Sequence, residues 1–299
     1  MSAAYRLMGI VNVTPDSFSD GGSFLDPDAA ISHARALVGE GADILDVGGE
    51  STRPGAEPVS VEEELRRVLP VLEGIAAADL GAQISIDTSK ASVARAAVEA
   101  GATIVNDVTA LRGDRAMAGL VAERGVECCL MHMLGEPRTM QRAVGGVGGV
   151  GGVGGPQYKD VVDDVRAFLE ERLGFAVNAG VREERIMLDP GIGFGKTVAH
   201  NLELLDRLDE LTTLGRPLVI GTSRKGFLGR IQADAAGEAE PMESARRLPG
   251  TIATNVLALE RGASVFRVHD VAPVRDALAV AGATLGGRWT PRGTTTQTS

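Results

Sequence analysis

Residues 83–108 read QISIDTSKASVARAAVEAGATIVNDV, and the stretch changes period twice. Over 83–87, Ile84 and Ile86 alternate with Ser85 and Asp87, the period of two expected of a strand. Small and branched apolar residues then recur at helical spacing up to Gly101, and a second apolar run, 103–108, follows the glycine. A helix that ends in glycine closes with a left-handed cap before the chain enters the next strand. Gly41, Gly125 and Gly262 stand in the same place before other apolar runs. Those runs lie at 6–13, 42–48, 126–131, 185–189, 217–222 and 264–268, which with the two above makes eight βα units. Eight units predict a single α/β domain, a (β/α)₈ TIM barrel over residues 1–285. An open doubly wound sheet is the alternative, because periodicity alone does not prove closure.

With 299 residues the chain has room for one barrel, which commonly takes about 250. Hydrophobic residues make up 44% and aromatic residues 3%, so the core must be built from Val, Leu, Ile and Ala. A net charge of −10 repels a phosphate backbone, and no basic stripe offsets it locally, so nucleic acid is not an expected partner. No apolar run is long enough for a membrane span and no signal peptide is evident, which predicts a cytoplasmic protein without membrane contact. Cys128 and Cys129 are adjacent inside an apolar run and lack both disulfide geometry and metal-ligand spacing, so they read as buried strand residues. Two stretches depart from the repeat. Residues 145–155, GGVGGVGGVGG, predict a mobile loop insert, and 286–299 predict a disordered tail.

Alternate side chains of a strand share a face, so parity assigns the polar residues. Phe266 and Val268 suit the helical layer, which sends Arg267 and His269 inward. Ile84 and Ile86 facing out leave Ser85 and Asp87 inside. Ile186 and Leu188 facing out place Asp189 inside with Met187, and Leu45 with Val47 leave Asp46, Gly48 and Glu50 inside. Four strands thus bring charge to one end of the interior, the end where barrel enzymes work. Lys225 follows strand seven and Arg267 with His269 lie on strand eight, the region where such barrels often hold phosphate, so an anionic group is expected there.

Two long polar loops follow strands one and two: NVTPDSFSDGG at 12–22 and GESTRPG at 49–55. Both exceed what a βα turn needs and suggest a closing lid. The run GIGFGKT at 191–197 is not a phosphate loop, since Pro190 stands where the first glycine would be required. Its glycines are expected to let backbone approach a flat ligand beside Asp189, with Phe194 nearby.

Taken in order, NVTPDSFSDGG, GESTRPG, IDTSK (86–90), IVNDV (104–108), LMHM (130–133), LDPGIGFGK (188–196), TSRKGFLG (222–229) and RVHDV (267–271) resemble the dihydropteroate synthase family, from about Tyr5 to Leu285. The resemblance implies a (β/α)₈ barrel, usually a homodimer, that joins 6-hydroxymethyl-7,8-dihydropterin pyrophosphate to 4-aminobenzoate and releases pyrophosphate. It also implies roles. Asp87, Asn106 and Asp189 match residues that hydrogen-bond the pterin edge, with Lys225 beside it. Arg267 and His269, with Val268 between them, match the pyrophosphate pocket, Arg267 also stacking on the pterin. Asn12 matches a side chain near the Mg²⁺ that accompanies the diphosphate. Thr52 and Arg53 belong to the second loop, while Phe18, Pro54 and Gly226 match positions around the aminobenzoate. Lys225, Arg267, His269 and Arg53 are the catalytic candidates, in a reaction that ionises the pterin C–O bond before the amine attacks.

Two features depart from the family pattern. Gly226 stands where some members carry Ser, so a hydroxyl for the aminobenzoate carboxylate is missing, and the glycine-rich insert is additional. His33 and His200 receive no role, and His132 is left open. Two other readings compete: a pterin-dependent methyltransferase barrel, and a non-catalytic pterin-binding paralogue.

Overall fold

The computed structural model describes residues 5–14, 26–51, 56–135 and 157–287. Its strands are β1 (Arg6–Asn12), β2 (Ile44–Gly48), β3 (Gln83–Asp87), β4 (Ile104–Asp107), β5 (Glu127–Met131), β6 (Ile186–Asp189), β7 (Val219–Ile220) and β8 (Val265–Val268). Between them lie α1 (Pro27–Glu40), α2 (Val61–Ala78), α3 (Ala91–Glu99), α4 (Met117–Arg124), α5 (Val161–Asn178) and α6 (Val198–Asp206). Helices α7 (Gly226–Ala236) and α8 (Leu248–Glu260) both separate β7 from β8, and α9 (Val271–Gly286) follows β8.

All strand pairs are parallel, in the order β6-β5-β4-β3-β2-β1-β8-β7. The ring closes where Leu188 bridges Leu218 and the Leu188 N–H donates to the Pro217 carbonyl at 3.0 Å. Closure removes the open sheet from consideration. It also explains why β7 is much shorter than the apolar run 217–222 that predicts it: Pro217 has no N–H to give, and Leu218 meets β6 through a single bridge. Other strand ends move by a residue or two. Helix α9 continues through Gly286 with Gly287 as its left-handed cap, so these two residues belong to the barrel and not to the expected tail. The insert at 145–155 and residues 288–299 lie outside the described residues.

Parity decides the layering as expected. Leu45, Val47, Ile84, Ile86, Ile186, Leu188, Phe266 and Val268 join one buried cluster with helical residues such as Leu37, Leu72, Leu120 and Leu204. Each such side chain contributes about 1.5–3 kcal/mol on burial. Inside the ring, Met8, Ile44, Ile104, Cys129, Met187, Val219 and Val265 form a separate apolar floor. The two cysteines are free and fully buried on opposite faces of β5, Cys128 outward and Cys129 inward. Burial pushes the Cys128 thiol up to about 12 and Cys129 well above its usual range, so neither is a nucleophile.

The interior also carries polar groups below that floor. Arg6 donates to Gln83 at 3.0 Å and to Glu127 at 3.2 Å, and Gln83 donates to Glu127 at 3.1 Å. Here cation and carboxylate satisfy each other, so this end of the barrel needs no ligand. Among the described residues no helix is long and apolar enough to cross a membrane.

Candidate active site

One step along the inward face of the even strands from Ile44, Ile104, Met187 and Val265 stand Asp46, Asn106, Asp189 and Arg267. The apolar floor therefore becomes a polar layer within two residues on each strand. Asp46 is its hub. It is fully buried and accepts from Arg267 Nε at 2.6 Å, Ser85 Oγ at 2.6 Å and Asn106 Nδ2 at 3.1 Å. Because a carboxylate only accepts, Asp46 fixes the Asn106 amide with its nitrogen inward and its carbonyl oxygen left for a ligand. The second arm of Arg267 donates to Asp87 at 2.8 Å.

Charge in this layer is unevenly compensated. Burial pushes the Asp87 carboxyl up; Arg267 opposes the shift and Asp46 adds to it. Burial also raises Asp189, against Lys225, the Gly191 amide and Arg267. Lys225 is lowered to about 8 by burial, which the Asp189 charge only partly offsets. For Arg267 burial again works against the charge, but Asp46 and Asp87 outweigh it and hold the guanidinium protonated. Asp189 accepts from the Gly191 N–H at 2.6 Å and from no other donor among the described residues, so one carboxylate oxygen is open to the mouth.

The turn after β6 shapes one wall. Gly191, Gly193 and Gly195 have φ of 66°, 85° and 61°. A Cβ on Gly191 would lie 1.8 Å from the His132 carbonyl oxygen, and one on Gly195 would lie 2.4 Å from that of Leu134. At Gly193 it would meet Lys225 Cδ at 2.9 Å. These glycines thus serve a backbone-to-backbone approach to the exit of β5 and leave room for Lys225. Lys225 Nζ donates to the Ile192 carbonyl and lies 4.5 Å from the centre of the Phe194 ring.

At the exits of β7 and β8, the His269 N–H donates to Ser223 Oγ at 3.1 Å, and that hydroxyl lies 3.0 Å from His269 Nδ1. A hydroxyl can donate one bond and accept two, so Ser223 ties both the backbone and the ring of His269 to the exit of β7. Arg224, between Ser223 and Lys225, takes φ of 57° and forks onto Asp270 at 2.9 and 2.5 Å.

The structure brings Asp87, Asn106, Asp189, Lys225, Arg267 and His269 to one mouth. Asn12 ends β1 beside Gly48 at the same end, and Gly226 begins α7 directly after Lys225. The Val268 side chain packs in the layer between strands and helices, leaving only its backbone near the mouth. Phe18, Thr52, Arg53 and Pro54 lie outside the described residues. Glu50 departs from the parity assignment: alternation ends with β2 at Gly48, and Glu50 instead engages Lys90, which also reaches Glu64 of α2 at 2.5 Å. His200 completes a capping box with Thr197, consistent with its having no chemical role.

Residues 8–269 match the family described as pterin binding enzyme. The chain belongs to this family. The pterin-binding enzyme described here is 47% identical to the dihydropteroate synthase of Mycobacterium leprae over 285 residues, 95% of this chain and 94% of the relative. It is 44% identical to that of Escherichia coli, covering 95% and 93%. In structure it is similar to Xanthomonas albilineans dihydropteroate synthase with 4-aminobenzoic acid (TM-score 0.83, 46% identity, 95% of this chain and 94% of the other). The Yersinia pestis dihydropteroate synthase in a sulfonamide drug complex superposes with TM-score 0.84 at 39% identity, covering 96% of each chain. The pterin-binding enzyme is thus a transferase by its relatives, on the barrel that its sequence predicts.

Four residues of its mouth escape sequence reasoning. Parity places Asp46 inward without giving it a role, and nothing local distinguishes Ser223 or the Arg224–Asp270 pair from their neighbours in SRK and RVHD. Parity reports the face of a side chain and is silent on which partner it meets across the ring.

Proposed function

We propose that this pterin-binding enzyme is a dihydropteroate synthase, joining 6-hydroxymethyl-7,8-dihydropterin pyrophosphate to 4-aminobenzoate with release of pyrophosphate. The observation that carries this reading is the polar layer of Asp46, Asn106, Asp189 and Arg267, with Lys225 over it. The 2-amino-pyrimidinone edge of a pterin offers paired N–H donors, which suit the open carboxylate of Asp189 as a guanidinium would. The free Asn106 carbonyl oxygen and Asp87 continue that polar edge, and the Lys225 ammonium supplies a donor for the ring acceptors. Arg267 reaches out of the layer toward the diphosphate with His269, which can donate a ring N–H to an anionic oxygen.

In the reaction the methylene C–O bond breaks and its electron pair leaves with pyrophosphate. The resulting cation is delocalised into the pterin ring, and the aromatic amine forms the new C–N bond and then loses a proton. Arg267 and His269 stabilise the departing charge, so no Ser, Cys or His nucleophile is required. Thr52 and Arg53 of the second loop are assigned to the diphosphate side, and Phe18, Pro54 and Gly226 to the aminobenzoate. Mg²⁺ suits the diphosphate as a hard cation. Among the described residues no group of three or more His, Cys, Asp and Glu could cage a metal, whereas Asn12 offers one side-chain oxygen at the mouth. The donor set therefore fits an ion carried largely by the diphosphate and water, touched by Asn12, and such an ion would supply charge neutralisation of the leaving group. A cytoplasmic location and a homodimer complete the reading.

Purified protein given both substrates and Mg²⁺ is expected to form dihydropteroate and pyrophosphate in equal amounts. A folded preparation that forms neither refutes the activity. A pterin-dependent methyl transfer would instead proceed without 4-aminobenzoate.

Two further results are expected. Since Lys225 carries its positive charge only when protonated, its contribution to pterin affinity should be full below about pH 8 and weaken above it. Lys225→Met should lower affinity at pH 7 and abolish this alkaline fall, as binding titrations from about pH 6.5 to about 9.5, spanning the lowered lysine, would register. Gly226 does not occupy the left-handed region, and a Cβ there would meet no atom within 4 Å, so Gly226→Ser fits without strain. A hydroxyl at this helix start should lower the KM for 4-aminobenzoate by about tenfold, the worth of one hydrogen bond to a charged group. An unchanged KM would separate Gly226 from the carboxylate site.

A further inference from the structure

Lys196 and His132 have no part in the chemistry above, yet both are buried beside it. Lys196 Nζ lies 2.8 Å from His132 Nδ1, 2.9 Å from the Gly191 carbonyl oxygen and 3.2 Å from that of Phe194. Burial lowers Lys196 well below the usual lysine range, against the Asp189 charge; in its protonated form each of its three donors has one acceptor here. Burial, with Lys196 and Arg112 nearby, lowers the His132 imidazole to about 2, so the ring is neutral, and with its proton on Nε2 it accepts from Lys196 at Nδ1. The imidazole is held edge-on to Phe168, with ring centres 4.9 Å apart, and the His132 N–H donates to the Asp189 carbonyl at 2.9 Å. The exit of β5 and the turn after β6 are therefore joined by backbone and side chain together.

The turn so fixed carries three elements of the mouth. The Gly191 N–H donates to Asp189, the Ile192 carbonyl accepts from Lys225, and the Phe194 ring lies under the Lys225 ammonium. Three left-handed glycines give the turn little intrinsic stiffness, since glycine has the most backbone freedom to lose. Something outside the turn has to hold it, and the Lys196 bonds span it at residues 191 and 194.

We propose that Lys196 and His132 form a buried rivet that sets the Gly191–Gly195 turn and through it positions Lys225 and Phe194 for the pterin. Both are positioning residues, and the inference rests on the pterin reading of the mouth. It leaves Asp189, Asn106, Lys225 and Arg267 as the groups that touch the pterin, and it gives His132 the role of acceptor rather than acid or base.

The test compares His132→Leu, which removes the acceptor, with His132→Asn, whose side-chain oxygen restores one near the place of Nδ1. Lys196→Met removes the donor, and if that variant does not fold the His132 pair decides alone. Two quantities are read: hydrogen exchange of the peptide covering 190–196 in the ligand-free protein, and the Kd for 6-hydroxymethyl-7,8-dihydropterin pyrophosphate. Faster exchange and binding weaker by about tenfold or more are expected in His132→Leu and Lys196→Met, with His132→Asn within about threefold of the unmodified protein. A role in packing alone would impair both His132 variants alike. Equal impairment, or a His132→Leu protein that exchanges and binds as the unmodified one does, overturns the proposal. Should the unmodified protein bind no pterin, the proposed activity fails, while the exchange comparison still decides the rivet.

Discussion

Asp189→Asn is expected to weaken binding of 6-hydroxymethyl-7,8-dihydropterin pyrophosphate by about a thousandfold without unfolding the barrel. The carboxylate has one oxygen on the Gly191 N–H and the other open to the mouth. Two charge-assisted bonds to the pyrimidinone edge are worth about 1.5–3 kcal/mol each. In the amide, the nitrogen would replace the open oxygen and point its own N–H groups at the donors of the ring. Lys225 would also lose its nearest opposing charge. Stability should move the other way. Burial raises Asp189, so the site makes an unfavourable home for its charge, and a neutral group of the same shape relieves that cost. Calorimetric binding with thermal melts on the same samples checks both halves. Lost affinity with an equal or higher Tm marks a binding group, and a parallel fall in both would mark a scaffold group.

Arg267→Met is expected to damage stability as well as activity. Its guanidinium is shared between Asp46 at 2.6 Å and Asp87 at 2.8 Å, and Asp46 is fully buried. Removing one partner of such a pair costs about 3–5 kcal/mol, because the remaining charge stays in the interior uncompensated. The sign of the pH dependence follows. Asp87 is already raised by burial, and losing Arg267 removes the influence that opposed this shift. A carboxyl whose folded pKa lies above its unfolded value penalises the fold when ionised, and the penalty fades as pH falls through the folded pKa. The loss of stability in Arg267→Met should therefore be smaller at about pH 5 than at about pH 8, as urea unfolding at the two values would measure. A pH-independent loss would mean that the carboxylates find another partner. Turnover should fall at both pH values, since the diphosphate loses a cation in either state.

Much of the site can be read from the sequence because a strand has a period of two. Ile84 and Ile86 determine where Asp87 points, and Phe266 and Val268 determine where Arg267 points, with no knowledge of the rest of the ring. Alternation fails where the strand ends. Glu50 lies two residues beyond β2, and its carboxylate turns to Lys90 and away from the interior. Contacts between distant strands are invisible to it as well. Asp46 and Arg267 are separated by 221 residues, so nothing local announces that one organises the other. The glycines of 191–195 illustrate a third limit. Their need for left-handed backbone can be anticipated, but the carbonyls of His132 and Leu134 that impose it come from a different βα unit. Closure, too, becomes visible only through Leu188 and Leu218.

If the layer of Asp46, Asn106, Asp189 and Arg267 reads the pterin edge, a crystal structure of the protein with 6-hydroxymethyl-7,8-dihydropterin pyrophosphate tests it most directly. The expected result has Asp189 accepting from the pyrimidinone N–H groups, the Asn106 carbonyl oxygen on the same ring, and Arg267 still bound to Asp46. A pterin bound elsewhere, or one whose edge faces away from Asp189, would contradict it.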